Sequence, residues 1–144
     1  MTRHPLERRI LRAILADLGH EPDLLLLRNL TGFRKEVNPD GTLRGLTFGL
    51  GTGSPDLVGL LRISRSGYCT DEDGCSYRVK RKPIGVWFCL EVKRPGEKLS
   101  DEQKLTHRVW SDFGAWIRVV ESVEEARAAL TMARNELAYR VAAA

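Results

Sequence analysis

Residues 84–93 read IGVWFCLEVK, and this stretch decides the fold class of the chain. Its many β-branched and aromatic residues predict a strand. Because side chains alternate across a strand, Glu91 and Lys93 share one face while Leu90 and Val92 occupy the other. A carboxylate and an ammonium group on so apolar a strand are costly to bury unless they are paired or bind something.

Further strands and helices are predicted on either side of this stretch. Their order is helix, strands, helix, strand, helix, which is typical of a mixed α/β (α+β) domain whose helices flank a central mixed sheet. The apolar run at residues 24–27 fits a buried strand or the end of a helix, because its period cannot separate the two. The other predicted elements are a helix between Pro5 and Gly19, a hairpin of residues 34–38 and 42–48 around Asp40-Gly41, a short buried strand at 56–61, the strand at 84–93, a helix from Ser100 to about Asp112, a strand at 115–120, and a last helix opened by a capping box at 122–125.

The chain shows no internal repeat and no linker, so residues 1–144 are predicted to form a single domain. Residues 64–83 differ from the rest because they are polar, contain two glycines and have little apolar periodicity. They are predicted to form an exposed, hairpin-like excursion. Its basic end either contacts phosphates or is a solvated hairpin tip. The basic residues in question are Arg78, Lys80, Arg81 and Lys82.

The composition is that of an ordinary globular protein with a modest positive charge. Of 144 residues, 42% are hydrophobic and 29% are charged, and the net charge is +4. This charge favours a polyanionic partner, yet it also fits any basic soluble protein. No run approaches the roughly 20 apolar residues that span a bilayer. Because the N-terminus is charged and lacks the apolar region of a signal peptide, an intracellular location and no membrane partner are expected.

The three cysteines, Cys69, Cys75 and Cys89, are an odd number. An odd number argues against a secreted disulfide framework. The first two lie in the excursion, but no histidine is near them in sequence, so a tetrahedral zinc site is short of ligands. Free thiols and no zinc are therefore predicted.

Asp56 completes a candidate set of chemical groups with Glu91 and Lys93. It follows Ser54-Pro55 and begins the predicted strand at 56–61. Two carboxylates and a lysine can hold a hard divalent cation such as Mg²⁺ and orient a water, a combination that suits phosphodiester hydrolysis. The alternative is plain structure, since Glu-x-Lys pairs also occur on solvated sheet faces and Pro-Asp is common in turns.

Three segments carry a resemblance to a known family, namely GSPDLVG at residues 53–59, LEVKRPG at 90–96 and LSDEQ at 99–103. Together they closely resemble the virus-type replication-repair nuclease (VRR-NUC) domain of the PD-(D/E)xK superfamily. The resemblance runs from Glu7 to about Leu130 and implies a restriction-endonuclease-like αβββαβ core. Compact members have a shorter connection between the two central strands than the one at 64–83 here.

The resemblance also implies roles for individual residues. The implied metal ligands are Glu7, Asp56, Glu91 and the backbone carbonyl of Val92. The implied catalytic residues are Asp56, Glu91, Lys93 and Gln103. Without the family, Glu7 would be interpreted as a solvated helical acid. For Gln103, position alone cannot separate this catalytic role from that of a capping-box residue. Arg94 and Lys98 join the four basic residues of the excursion as predicted DNA contacts.

The function implied by the resemblance is a DNA endonuclease that depends on Mg²⁺ or Mn²⁺. Stand-alone members resemble Holliday-junction resolvases, which implies a homodimer and a branched or four-way DNA substrate. A two-fold dimer would present two matched sites to a two-fold junction. The alternatives are a DNA-binding module that does not cut, and a nuclease subunit of a larger replication or restriction complex. The resemblance also fits a phage or prophage origin.

Overall fold

A computed structural model describes residues 4–142 of the chain, and of residues 66–68, 80 and 142 it describes the backbone alone. The predicted domain range of 1–144 extends past these residues at both ends. The described elements are α1 (Pro5–Leu18), β1 (Leu24–Arg28), β2 (Gly32–Val37), β3 (Leu43–Phe48), β4 (Leu57–Thr70), β5 (Ser76–Val92), α2 (Asp101–Asp112), β6 (Trp116–Val120) and α3 (Val123–Ala142).

Four strands form a mixed sheet in the order β1-β4-β5-β6, and β2 and β3 form a separate two-stranded hairpin. The first three strands are antiparallel to their neighbours, while β6 runs parallel to β5. The sheet strands and helices up to β6 therefore follow the order αβββαβ, and α3 comes after them. The predicted mixed α/β class is confirmed.

The apolar run at residues 24–27 belongs to the strand β1. Its period alone was compatible with either a buried strand or the end of a helix. Leu24 and Leu26 are buried, while Leu25 and Leu27 are exposed. This alternation arises because β1 is an edge strand that pairs with β4 and covers the core with one face only. Pairing with a distant strand, rather than local periodicity, selects the extended conformation here.

α1 and α3 cover one face of the sheet and enclose the hydrophobic core. Phe88, Leu90 and Val92 of β5 are fully buried in this core, and the Phe88 ring stacks on Trp116 with 5.4 Å between centroids. Helix residues in the same core include Leu11, Ile14, Leu18, Ala126, Leu130 and Ala133. The alternation predicted for residues 84–93 therefore directs Leu90 and Val92 into the core, and their neighbours to the opposite face.

An ion-pair cluster connects α3 to the segment before β1. Arg134 donates to both carboxylate oxygens of Asp23, at 2.5 and 2.9 Å, and to Glu21 at 2.5 Å. The hydrogen bond from Arg134 lowers the pKa of Asp23. The cluster holds α3 against the edge of the sheet.

α2 packs against the opposite face of the sheet, which is covered far less completely. None of the residues of α2 is fully buried. The ring of Trp110 contacts Trp87 of β5 edge-on at 6.1 Å. Glu91 and Lys93 lie on this α2 face of the sheet.

Residues 64–83 form the outer part of a long hairpin made by β4 and β5. The ladder continues from Ile63–Ile84 to Thr70–Ser76, with one register shift beyond Ile63. The predicted strands at 56–61 and 84–93 were therefore too short. Apolar periodicity marks only the part of a strand that faces a core, whereas backbone pairing continues past it.

The second predicted capping box is only half formed. Ser122 Oγ accepts a hydrogen bond from Glu125 N at 3.1 Å, as predicted. The Glu125 carboxylate accepts from Glu121 N at 2.8 Å, one residue before the expected Ser122. The box that opens α2 at Ser100 has both of its bonds.

Cys69, Cys75 and Cys89 are all free thiols, as predicted. Burial raises the pKa of the Cys89 thiol to about 12, so it stays protonated at neutral pH. Between residues 4 and 142, no helix has both the length and the apolar character needed to cross a bilayer.

Candidate active site

The register of β4 against β5 brings Asp56 beside Glu91. Leu57 pairs with Leu90, so Asp56 precedes the ladder at the position opposite Glu91, on the α2 face. Asp56 Oδ2 accepts a hydrogen bond from Val92 N at 3.0 Å, and Asn29 N donates to the Asp56 carbonyl at 2.8 Å. The structure thus buries two carboxylates, Asp56 at 5% and Glu91 at 1% exposure, on neighbouring strands.

Lys93 lies next to this carboxylate pair, where strand alternation placed it. Its Nζ is 3.3 Å from Glu91 Oε1 and 4.0 Å from Glu97 Oε1. The Lys93 residue is 8% exposed, and its backbone N–H donates to the Val120 carbonyl at 2.9 Å. An ammonium group held this deeply gains from its carboxylate neighbours, because an unpaired buried charge is strongly unfavourable.

Gln103 caps α2 and also contacts Glu91, while its catalytic role stays a prediction from the family resemblance. Its side-chain Oε1 accepts from Ser100 N at 3.0 Å, while its backbone N–H donates to Ser100 Oγ at 3.2 Å. At the same time, its Nε2 donates a short hydrogen bond to Glu91 Oε1. The cap therefore fixes the amide, and the amide in turn orients the carboxylate of Glu91.

His107 is a member of the cluster that the sequence analysis missed. It lies one helical turn beyond Gln103 on α2, so the two side chains share a helix face. His107 Nε2 is 3.7 Å from Glu91 Oε2. Both atoms are buried and neither has a hydrogen-bond partner. The spacing of four residues from Gln103 was the signal in the sequence that could have found it.

A second missed residue, Asn29, holds the loop before Asp56. Asn29 is buried, and its Nδ2 donates to Ser54 Oγ at 2.7 Å and to the Pro55 carbonyl at 2.9 Å. Gly53 in the same loop has φ of +79°, and a Cβ there would lie 2.7 Å from the Glu102 carbonyl. Only glycine adopts this conformation freely and lets α2 approach so closely.

Glu7 is half-buried in the first turn of α1. Its neighbours His4 and Leu6 line an open cleft together with Arg94 and Gly96. The beginning of α1 therefore lies beside the loop that follows Lys93. The role of Glu7 as a metal ligand stays a prediction from the family resemblance.

The predicted DNA contacts fall into two separate places. Arg94 follows the site directly but is bound to Glu97 at 2.9 Å, and this hydrogen bond lowers the pKa of the Glu97 carboxyl. Lys98 is exposed in the loop before α2.

Arg78, Arg81 and Lys82 are exposed on the outer hairpin, and the side chain of Lys80 lies outside the described ones. Along β5, Lys82 lies nine positions before Glu91, or roughly 30 Å of extended chain. The structure therefore does not bring these hairpin residues into the buried cluster.

The donor set of the cluster fits a hard divalent cation. In the described part of the chain, no three His, Cys, Asp or Glu side chains are grouped as a metal cage. Mg²⁺, however, usually binds one or two carboxylates and keeps several waters. The buried and unpartnered Glu91 Oε2 is a carboxylate oxygen that such an ion would satisfy.

No protein-family model matches this chain, and neither a curated protein nor a solved structure matches it. The resemblance to the VRR-NUC family therefore stays a prediction based on motifs.

Proposed function

We propose that this protein is a metal-dependent DNA endonuclease of the PD-(D/E)xK class, with a restriction-endonuclease-like core. The observation that carries the proposal is the buried cluster of Asp56, Glu91 and Lys93 on one face of the sheet. A fold that only needed stability would gain little from burying three charged groups together, because desolvation offsets most of their attraction. Clusters of this kind are typical of sites that bind or react.

Each residue of the cluster has a task in phosphodiester hydrolysis. Asp56, Glu91 and the Val92 carbonyl would hold Mg²⁺ or Mn²⁺, which when bound neutralises phosphate charge and acidifies a water. Lys93 supplies a positive charge and hydrogen-bond donors for the attacking water and the phosphate oxygens. Gln103 holds Glu91 so that Oε2 stays available. In the reaction, the water oxygen bonds to phosphorus, the bond to the leaving sugar oxygen breaks, and a proton ends on that oxygen.

The proposed substrate is branched DNA, in particular a four-way junction. The outer hairpin offers Arg78, Arg81 and Lys82 as exposed phosphate contacts at a distance from the cluster. Contacts of this kind recognise shape and charge without reading bases. An intracellular location is part of the same proposal.

Cleavage of labelled four-way, flapped and linear DNA tests this function. We expect paired, symmetric nicks in the four-way junction with Mg²⁺ or Mn²⁺ and none with EDTA. Absence of cleavage of every substrate under both metals contradicts the nuclease proposal. Junction binding without cleavage would instead favour a binding module. Cleavage of flaps alone would contradict the four-way junction as the substrate but would support the nuclease activity.

We also propose that two copies of this chain associate through the part of the α2 face that α2 leaves exposed. Leu25, Leu60 and Trp87 lie in register across three strands of this face. Phe113, the residue after α2, lines the same cleft as Trp87. Leu25 is 56% and Phe113 is 90% exposed. Contiguous apolar surface of this kind is uncommon on a monomer. Because Glu91 lies on the same face, a two-fold dimer would turn both clusters toward the contact between the two copies.

We expect the wild-type chain to have the mass of a dimer in sedimentation or light scattering. Phe113→Glu should shift it to a monomer, because a charge buried in an apolar contact is strongly unfavourable. Tyr139→Glu on α3 is the matched control, since Tyr139 is also highly exposed but lies away from this face. A monomeric wild type, or a dimeric Phe113→Glu variant, would refute this interface.

A further inference from the structure

His107 faces Glu91 across a gap that no hydrogen bond fills. The distance from His107 Nε2 to Glu91 Oε2 is 3.7 Å, longer than the roughly 2.7–3.2 Å of an N–H···O hydrogen bond. Gln103 and Lys93 both contact the other oxygen, Oε1. Oε2 and Nε2 are thus left facing each other, buried and without a hydrogen-bond partner.

A divalent cation accounts for this gap better than direct pairing does. Bonds from first-row cations to nitrogen or oxygen are about 2.0–2.2 Å long, so two ligands of one ion lie roughly 3–4 Å apart. The observed separation falls within this range. A neutral imidazole offers a lone pair at Nε2, and Glu91 Oε2 offers a negative charge, so both atoms are suitable ligands.

We propose that His107 Nε2 is a direct ligand of the divalent cation bound by Glu91, so that the site is a mixed oxygen–nitrogen centre that prefers Mn²⁺ over Mg²⁺. This inference rests on the proposed function, because it concerns the same cation. Imidazole suits first-row transition ions, whereas Mg²⁺ is held almost entirely by oxygen. The preference for Mn²⁺ over Mg²⁺ therefore follows from the nitrogen ligand, and the carboxylate ligands are the same for both ions.

The geometry of α2 makes His107 a fitting ligand. Its side chain is 12% exposed, so it is held among its neighbours rather than free in water. The Ser100 cap and the bond from Gln103 to Glu91 fix the preceding turn of the same helix. Rigid support of this kind keeps a ligand atom in place before the ion arrives.

Metal binding by the full chain, measured without DNA, tests the inference. Pulsed EPR of bound Mn²⁺ should detect coupling to a ¹⁴N nucleus in the wild type and lose it in His107→Phe. The same substitution should weaken Mn²⁺ binding about tenfold or more. Mg²⁺ binding, measured by calorimetry, should change by less than about threefold, because Mg²⁺ depends on the oxygen ligands. His20→Phe, an exposed histidine after α1, is the control and should change neither.

The outcomes separate this inference from the proposed function. The ligand role would be overturned, even if DNA is cut, by either of two results. One is Mn²⁺ bound to the wild-type protein without ¹⁴N coupling, and the other is coupling that persists in His107→Phe. Coupling that depends on His107 would uphold it even if no DNA is cut. A wild type that binds Mg²⁺ but no Mn²⁺ would overturn the ligand role alone, and one that binds neither ion would overturn both. If His107→Phe does not fold, His107→Gln serves in its place, because it also removes the imidazole nitrogen.

Discussion

Lys93→Met should lower the single-turnover rate of DNA cleavage by about 10³-fold or more at saturating Mg²⁺, which is the magnitude of losing a general acid–base group or a charged transition-state contact. Methionine fills nearly the same space as lysine and carries no charge. The backbone bond from Lys93 to the Val120 carbonyl would remain. The loss would therefore concern the ammonium group at 3.3 Å from Glu91 and not the position of β5.

The stability of the Lys93→Met variant should depend on metal. Without metal, Glu91 loses its nearest positive neighbour and becomes a less compensated buried charge, so Tm should fall below that of the wild type. A bound cation would replace the missing charge, so the difference in Tm should shrink when Mn²⁺ is added. Lys104→Met is the control, because Lys104 is an exposed lysine on α2 that pairs with Asp101. Cleavage by Lys93→Met at the wild-type rate would contradict the role proposed for this lysine.

Asp56→Asn should strongly weaken metal binding and slow cleavage while leaving the fold intact. The amide oxygen of asparagine still accepts the hydrogen bond that Val92 N donates to Asp56 at 3.0 Å, and the two side chains have almost the same volume. The negative charge is lost, and a hard cation depends on it. We expect a cleavage rate lower by about 10²–10³-fold or more, together with loss of most of the increase in Tm that Mn²⁺ produces in the wild type.

The metal-free Asp56→Asn protein should be at least as stable as the wild type. Asp56 and Glu91 are opposite each other on paired strands, and like charges in that position repel. Removing one of the two charges relieves this repulsion without breaking the bond to Val92. Asp101→Asn, at an exposed acid in the first turn of α2, is the control for a general effect of charge. An Asp56→Asn variant that keeps both its cleavage rate and its stabilisation by Mn²⁺ would show that the cation is held elsewhere.

Much of the candidate site could be predicted from local sequence. The alternation in residues 84–93 placed Glu91 and Lys93 on one face, and the structure confirms it because Leu90 and Val92 enter the core. The capping box at Ser100 correctly located the start of α2 and hence Gln103. Periodicity and caps are properties of consecutive residues, so they predict local structure without information about the rest of the chain.

Other parts of the site depend on residues that are distant in sequence. Asn29, which holds the loop before Asp56, lies in no motif and owes its role to the pairing of β1 with β4. His107 belongs to the site only because α2 packs across β5 and so brings His107 beside Glu91. No pattern of consecutive residues encodes such packing, since contacts between elements depend on the register and angle at which they meet.

The sequence by itself determined the mixed α/β class, the shared face of Glu91 and Lys93, and the start of α2. Tertiary structure decided that Asp56 lies beside Glu91, that the two central strands extend into a long hairpin, and that Glu91 Oε2 and His107 Nε2 face each other without a bond. The physical reason is the same in each case. Local side-chain patterns record which face of an element is apolar, whereas the pairing of β4 with β5 and the packing of α2 bring together groups 16 to 36 residues apart along the chain.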